Sequence, residues 1–259
     1  MSERRPERPA RTATVTRTEW LTPHMVRVVL GGEGLSGFAA GAFTDHYVKL
    51  LFADPGTGQV ARRTYTVRRW DEEAGELTLD FVHHGDEGLA GPWAAAARPG
   101  DLIQLNGPGG EYAPDLGADW HLFVGDASAL PAIAASLERV PAGSPAWVFV
   151  EIEGPDEEQK FDTPGDLTVF WLDRSAGPAG PELLADTLRE TVLPTGRVSA
   201  FVHGEAASVR AVRRHLLVER GVAREVLSVS GYWKRGRTED GWRSDKAQWQ
   251  QQVLADEQA

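Results

Sequence analysis

A small antiparallel β-barrel followed by a parallel α/β sheet is the fold this sequence predicts, and three observations predict it. Over residues 12–110, short runs of β-branched and apolar residues recur between Gly, Pro and Asp punctuation, the rhythm of a compact all-β unit. A Pro- and Gly-rich stretch then runs from 106 to 119. Beyond it, strand-like runs alternate with helical patterns, which is how a parallel sheet with crossover helices reads. Two domains are therefore expected, 1–116 and 117–259.

The barrel strands are expected at 12–17, 25–30, 46–52, 64–70, 77–83 and 102–105, with one short helix at 93–98. In the second domain, strands are expected at 121–124, 147–152, 167–171, 198–203 and 226–230. Helices fall between them at 130–139, 182–191 and 208–219, and a polar, helix-permissive segment follows at 245–256. No internal repeat interrupts this order.

With 259 residues, 41% of them hydrophobic, the chain can build two modest cores. It has no cysteine, which removes disulfides, thiolate metal sites, iron–sulfur ligation and cysteine nucleophiles together. Redox chemistry would therefore need a bound cofactor. A formal net charge of −11 argues against general nucleic-acid binding, because phosphate backbones reward lysine and arginine. Basic residues are instead concentrated at Arg62, Arg63, Arg68 and Arg69, and again at Lys234, Arg235 and Arg237. The first fifteen residues are charged and carry no apolar run, which reads as a cytoplasmic start rather than a secretory signal. No stretch approaches the roughly 18 apolar residues of a membrane helix; residues 88–97 are Ala-rich but short and interrupted by Pro92.

The run 62–68 places Arg63, Tyr65 and Val67 on one face of a strand and Thr64 and Thr66 on the other. A forked cation suits a pyrophosphate, an aromatic ring suits a flat heterocycle, and a hydroxyl suits a heterocycle's polar edge, so the trio matches what a flavin dinucleotide asks for. The same alternation also describes a solvated basic edge strand.

Arg63-Thr64-Tyr65-Thr66 resembles the Arg-x-Tyr-Ser/Thr signature of ferredoxin-reductase-like flavoproteins. Further blocks resemble one branch of that group, the siderophore-interacting protein family. These are Phe81-Val82-His83-His84-Gly85-Asp86-Glu87-Gly88, Trp93-Ala94, Arg98-Pro99-Gly100-Asp101, Asn106-Gly107-Pro108-Gly109-Gly110, Gly125 through Ile133, and Ser230 through Arg237. Together they span about residues 60 to 237, and blocks in a fixed order are far more specific than any one alone.

The resemblance implies a six-stranded antiparallel FAD-binding barrel followed by a nicotinamide-binding-like parallel-sheet domain. It implies that Arg63 pairs with the FAD phosphates, Tyr65 packs on the isoalloxazine and Thr66 hydrogen-bonds its reactive edge. His84, Gly85, Gly88, Ala90, Gly91 and Trp93 would complete the cofactor site around a helix start, where free amides favour a pyrophosphate. The chain departs from the family here, with Gly88-Leu89-Ala90-Gly91-Pro92 where Gly-Pro-Ala-Ser is usual, so a serine hydroxyl is missing. Gly91 as N-cap and Pro92 as first helical residue would preserve the helix start. Adjacent His83 and His84 point to opposite strand faces, which disfavours a shared metal.

Gly125-Asp126-Ala127-Ser128-Ala129-Leu130-Pro131 reads as strand, tight turn and helix start, the place where open α/β sheets bind ligands. It lacks the full Gly-x-Gly-x-x-Gly pattern and also fits an ordinary turn. In the family this turn faces the nicotinamide cofactor, so Asp126 and Ser128 would line a ribose or nicotinamide pocket. After the strand at 167–171, Asp173 favours NADH while Arg174 and Ser175 favour NADPH, and a ferredoxin stands as an alternative donor. Lys234, Arg235 and Arg237 would attract an anionic ferric siderophore, or form an ordinary solvated turn. Tyr232 and Trp233 read as packing residues, Arg210, Arg213, Arg214 and His215 as a solvated helix face, and 151–158 as an acidic loop.

The expected activity is FAD-dependent reduction of a ferric siderophore by NADH, NADPH or a ferredoxin, by a monomer that needs no protein acid, base or metal ligand. The alternatives are a flavin reductase with another acceptor and a non-catalytic siderophore- or flavin-binding protein.

Overall fold

The computed structural model describes residues 10–54, 56–176 and 180–256. Most of the charged start, residues 1–9, lies outside the described residues. Contacts divide the chain into two compact units, with the boundary between Glu111 and Tyr112.

The first unit is a closed antiparallel barrel of β1 (Arg11–Thr22), β2 (Met25–Gly31), β3 (Tyr47–Ala53), β4 (Val60–Asp71), β5 (Glu76–Val82) and β6 (Leu102–Gly109), in the order β1-β2-β5-β4-β3-β6. Alternation explains the closure: Val48, Leu50 and Phe52 of β3 and Leu77, Leu79 and Phe81 of β5 all point inward and are buried. Complete burial of a side chain such as Phe81 contributes roughly 2–3 kcal/mol. The wall carries a cross-strand ion pair, Arg27 to Asp80, doubly hydrogen-bonded at 2.7 and 2.8 Å between register partners of β2 and β5.

The short helix α1 (Ala90–Ala96) begins three residues earlier than the sequence suggests and follows Leu89, which makes no side-chain cap bond. Gly91 is therefore inside the first turn rather than its cap, and Pro92 is the third helical residue, where its missing N–H costs no intrahelical bond. The reason is packing. Ala90 and Ala94 are buried on the barrel, and Trp93 wedges between Phe52 and Phe81 at centroid distances of 5.8 and 5.7 Å.

The second unit is a five-stranded parallel sheet of β7 (Trp120–Asp126), β8 (Pro145–Ile152), β9 (Asp166–Asp173), β10 (Val198–Glu205) and β11 (Leu227–Trp233), ordered β11-β10-β7-β8-β9. Its helices are α2 (Leu130–Leu137), α3 (Leu183–Glu190), α4 (Ala206–Arg214) and α5 (Glu239–Ala255). One face of the sheet buries Leu122, Val124, Ala200 and Val202 against Leu188, Val209 and Val212. Tyr112 and Asp115 belong to this unit because both reach Ser199 on β10, at 3.4 and 3.1 Å.

Two expectations are overturned here. The helix carrying Arg210 to His215 is not wholly a solvated face: Arg214 is exposed, but α5 folds back across Arg210 and Arg213. Arg213 and His215 are buried, Arg213 donates to the Val253 carbonyl at 2.8 Å, and Arg210 makes two bonds to Asp256. That covering starts at Thr238, whose side chain caps α5, and is driven by burial of Trp242, Trp249 and Val253. Nor is 151–158 wholly a loop, since Glu151 lies within β8 and is 5% exposed. Among the described residues, no helix is long and apolar enough to cross a membrane.

Candidate functional site

In the barrel, β4 presents the predicted trio. Arg63 and Tyr65 lie opposite Leu50 and Val48 of β3 and so share the inner face, while Thr66 lies opposite Tyr47. The Tyr65 ring leans on Phe81 at 4.2 Å and an interplanar angle of 32°, and Phe81 in turn touches Trp93. Phe81 thereby ties the Arg63–Thr66 strand to α1. Arg63 is half-buried and donates to the Arg62 carbonyl at 3.0 Å.

The residues fit a flavin dinucleotide in two respects. Thr66 is 9% exposed, and its hydroxyl makes no hydrogen bond among the described residues, which suits a polar heterocycle edge. Gly85 and Gly88 adopt positive φ of 68° and 79° in an exposed segment ahead of the start of α1, whose first amides no side chain caps. His84 is exposed, its ring 6.5 Å from that of His24. Ala90 and Trp93 do not offer side chains to a ligand in the way Arg63 does; they anchor the helix whose amides would.

In the second unit, the C-terminal ends of β7, β8, β10 and β11 converge on carboxylates. Asp126, at the end of β7, is fully engaged. Its Oδ1 accepts from Ser128 N at 2.9 Å and Ser128 Oγ at 2.5 Å, and its Oδ2 accepts from Glu205 N at 2.7 Å and Trp233 Nε1 at 2.8 Å. Two glycines permit this approach. A side chain at Gly125 would meet the His203 carbonyl at 2.6 Å, and one at Gly204, where φ is 145°, would meet Asp126 Oδ2 at 2.7 Å. Asp126 and Ser128 therefore bind each other, and the carboxylate joins three strand ends. Burial pushes the Asp126 pKa up, against the lowering effect of those hydrogen bonds.

Glu205 repeats the device one strand over. Its Oε2 accepts from Ala207 N and Ser208 N at the start of α4, and its Oε1 from Arg235 N at 3.0 Å. Glu151 is held beside Arg174 Nε at 3.0 Å and Arg235 at 3.7 Å. Burial raises its pKa, Arg174 lowers it, and the nearby Asp126 charge raises it again.

The basic block is not free. Lys234 and Arg237 share Asp245 at 3.8 and 3.0 Å, and Arg235 faces Glu151. Its cations keep 41 to 53% of their side-chain surface exposed, so they are reachable but partly neutralised.

Sequence reading missed Glu205, Glu151, Trp233 and His203 as members of this edge. A signal existed for Glu205, a carboxylate between Gly204 and the small residues that open α4. None existed for His203, which lies stacked on Phe201 at 3.7 Å with its nitrogens bonded to Tyr232 Oη and Ser228 Oγ at 3.0 and 2.9 Å. Burial, and to a lesser degree the Lys246 charge, hold its pKa down to about 3. An unfolded histidine takes up its proton near pH 6.5 while His203 does not, so its contribution is present above that pH and is lost as pH falls toward 3. The expected slope from this one group approaches 1.4 kcal/mol per pH unit. His203→Gln should flatten the dependence of unfolding free energy on pH between 6 and 4; an unchanged slope would show that His203 does not set it.

An antiparallel six-stranded barrel followed by a five-stranded parallel sheet defines the ferredoxin-reductase-like flavoprotein fold. A solved ferredoxin reductase of carbazole 1,9a-dioxygenase shares it with a TM-score of 0.68 at 20% identity, over 87% of this chain and 70% of that one. Within that fold the chain belongs to the siderophore-interacting protein family. Residues 14–62 and 57–112 match the siderophore-interacting FAD-binding domain, and residues 118–236 match the siderophore-interacting protein domain. The chain is 43% identical over 271 aligned positions to Rv2895c of Mycobacterium tuberculosis, covering 92% of this chain and 95% of that one. It is 33% identical to the ferric vibriobactin reductase ViuB of Vibrio cholerae, covering 89% and 91%. A solved siderophore utilization protein from T. fusca superposes with a TM-score of 0.79 at 39% identity, over 89% of this chain and 95% of that one.

Proposed function

We propose that this protein is an FAD-dependent ferric-siderophore reductase that draws electrons from a nicotinamide nucleotide. The observation that carries the reading is the FAD-binding match over a barrel whose Thr66 hydroxyl, Arg63 guanidinium and exposed Gly85–Gly88 backbone suit a flavin dinucleotide. When bound, FAD supplies the conversion of a two-electron hydride into the single electrons that Fe(III) accepts. Arg63 holds the phosphates, Tyr65, braced by Phe81, supports the ring, and Thr66 donates to its edge. In the second unit, Asp126 and Glu205 fix the strand ends that receive the nucleotide. No side chain need act as acid, base or metal ligand, because reduction itself weakens the hold of oxygen donors on iron.

The test is the visible spectrum of the protein with FAD, followed anaerobically by NADH or NADPH and then by a ferric siderophore with a ferrous trap. Bleaching, then recovery of the oxidised spectrum with ferrous capture, is expected. Bound FAD that neither nucleotide bleaches would indicate a ferredoxin donor, and failure to bind FAD would overturn the reading.

The ion pairs of the basic block give a second prediction. Asp245→Asn frees Lys234 and Arg237 and should lower KM for an anionic ferric siderophore several-fold, more at low salt than high. Lys234→Gln with Arg237→Gln should raise it about tenfold, equivalent to about 1.4 kcal/mol. Steady-state kinetics at two ionic strengths check both, and no change in either variant would remove this block from the substrate site.

A further inference from the structure

Resting on the FAD reading above, we infer that the adenine of the dinucleotide stacks on Trp20, and that this ring makes the protein bind FAD in preference to FMN. Trp20 is an aromatic side chain left in water. It stands near the end of β1 and is 51% exposed, although its register partner on β2, Val26, is 1% exposed and belongs to the barrel core. Among the described residues its indole N–H makes no hydrogen bond. Its ring meets that of His83 at 5.4 Å between centroids and an interplanar angle of 86°, a T-shaped contact that leaves ring surface open to a second flat group.

Register ties this ring to the strand that carries Arg63 and Tyr65. Trp20 pairs with Val26 and Val26 with Phe81, and cross-strand partners share a face. On that face Phe81 stacks on Tyr65 at 4.2 Å. Two residues beyond Phe81 comes His83, whose amide donates to the His24 carbonyl at 2.9 Å and so extends the β2–β5 ladder. Two residues before Tyr65 comes Arg63, and because β4 and β5 are antiparallel both steps lead toward the same end of the barrel. A pyrophosphate held by Arg63 therefore has His83 beside it and the Trp20 indole one ring further on, which is the course open to the attached adenosine.

His83 also braces the platform. A side chain at Gly91 would come within 3.6 Å of the His83 Cα and 3.9 Å of its Cδ2, so the first turn of α1 packs on His83 as Trp20 does. The local charge selects a neutral ring. Glu19 precedes Trp20, and Asp86 and Glu87 follow close on His84, all three exposed, so an anionic ferric siderophore meets like charge at this end of the barrel. Adenine is flat and uncharged at neutral pH and meets none of that repulsion. Stacking needs only a π-face, and it removes from water an indole that the empty barrel leaves half-exposed.

The experiment titrates the wild type, Trp20→Ala and Trp20→Phe with FAD and FMN, read by flavin fluorescence, and with ADP as a competitor of FAD. The wild type is expected to bind FAD more tightly than FMN. Trp20→Ala should lose about tenfold or more in affinity for FAD, lose the same factor for ADP, and hold FMN within about twofold of the wild type. Trp20→Phe keeps a π-face and should retain most of the FAD affinity, and thermal melts of both variants should match the wild type because the indole is half-exposed. A Trp20→Ala protein that binds FAD and ADP like the wild type would overturn the inference, and so would equal losses for FAD and FMN, which would place the effect on the shared flavin half or on the fold. A wild type that binds neither flavin would instead overturn the FAD reading on which the inference rests.

Discussion

Arg63→Ala is expected to weaken FAD binding by about 100-fold, the loss of two charge-assisted hydrogen bonds to phosphate worth about 3 kcal/mol together. Arg63→Lys keeps the charge but not the planar fork, and should recover only part of that affinity. The barrel should be affected far less than flavin binding, because Arg63 is only half-buried and the apolar core is built from other residues, among them Val48, Leu50, Leu79 and Phe81. Tyr65→Ala provides the contrast. Its ring rests on Phe81 and adjoins the core, so that variant should lose both thermal stability and flavin affinity. Flavin titration alongside thermal melts separates the two effects, and an Arg63→Ala protein that binds FAD like the wild type would take the phosphates away from Arg63.

Asp126→Asn is the second large effect, and it falls on the parallel-sheet unit. Both carboxylate oxygens accept from two donors, so an amide nitrogen in place of either one faces donors it cannot satisfy. Leaving two or more buried donors unpaired costs about 3 kcal/mol or more. For a unit of this size the corresponding fall in Tm is about 10 °C. Trp233→Phe removes one donor and leaves the carboxylate three, so its cost should be clearly smaller. The pH dependence has a definite sign. Because burial raises the Asp126 pKa, the charged form is penalised in the folded state, and the wild type should lose stability as pH rises from the ordinary carboxylate range through that raised value. Asp126→Asn removes this fall. Melts between pH 4 and 7 would show it, and equal stability of wild type and Asp126→Asn would mean the hydrogen bonds at this junction contribute little.

The barrel strands were legible because β-branched and apolar runs recur between turn residues, and in β3 and most of β5 because period-two alternation survives as well. Val48, Leu50 and Phe52, or Leu77, Leu79 and Phe81, have only one way to hide all their apolar groups. Arg63, Tyr65 and Thr66 were legible as a trio for the same reason, since strand period alone decides which of them share a face. The start of α1 was misread because Gly91 and Pro92 carry local cap signals, whereas burial of Ala90 and the packing of Trp93 on Phe52 of β3 and Phe81 of β5 set the boundary. The solvated reading of Arg213 failed similarly, because nothing local to α4 says that Trp242 and Trp249 will bring another helix over it.

From its own residues, then, the chain determined two cores, their order and their strand periodicity, since these depend on the local alternation of apolar and polar groups. It also determined that any redox chemistry must be borrowed, having no cysteine to offer. Which carboxylate meets which cation was decided only by the tertiary structure. Asp126 finds Glu205 and Trp233, and Arg174 finds Glu151 and Glu153, because the order β11-β10-β7-β8-β9 brings distant strand ends to one edge. Charge interactions fall off with distance in space and not with separation along the chain, so no reading of neighbours in sequence supplies those pairings.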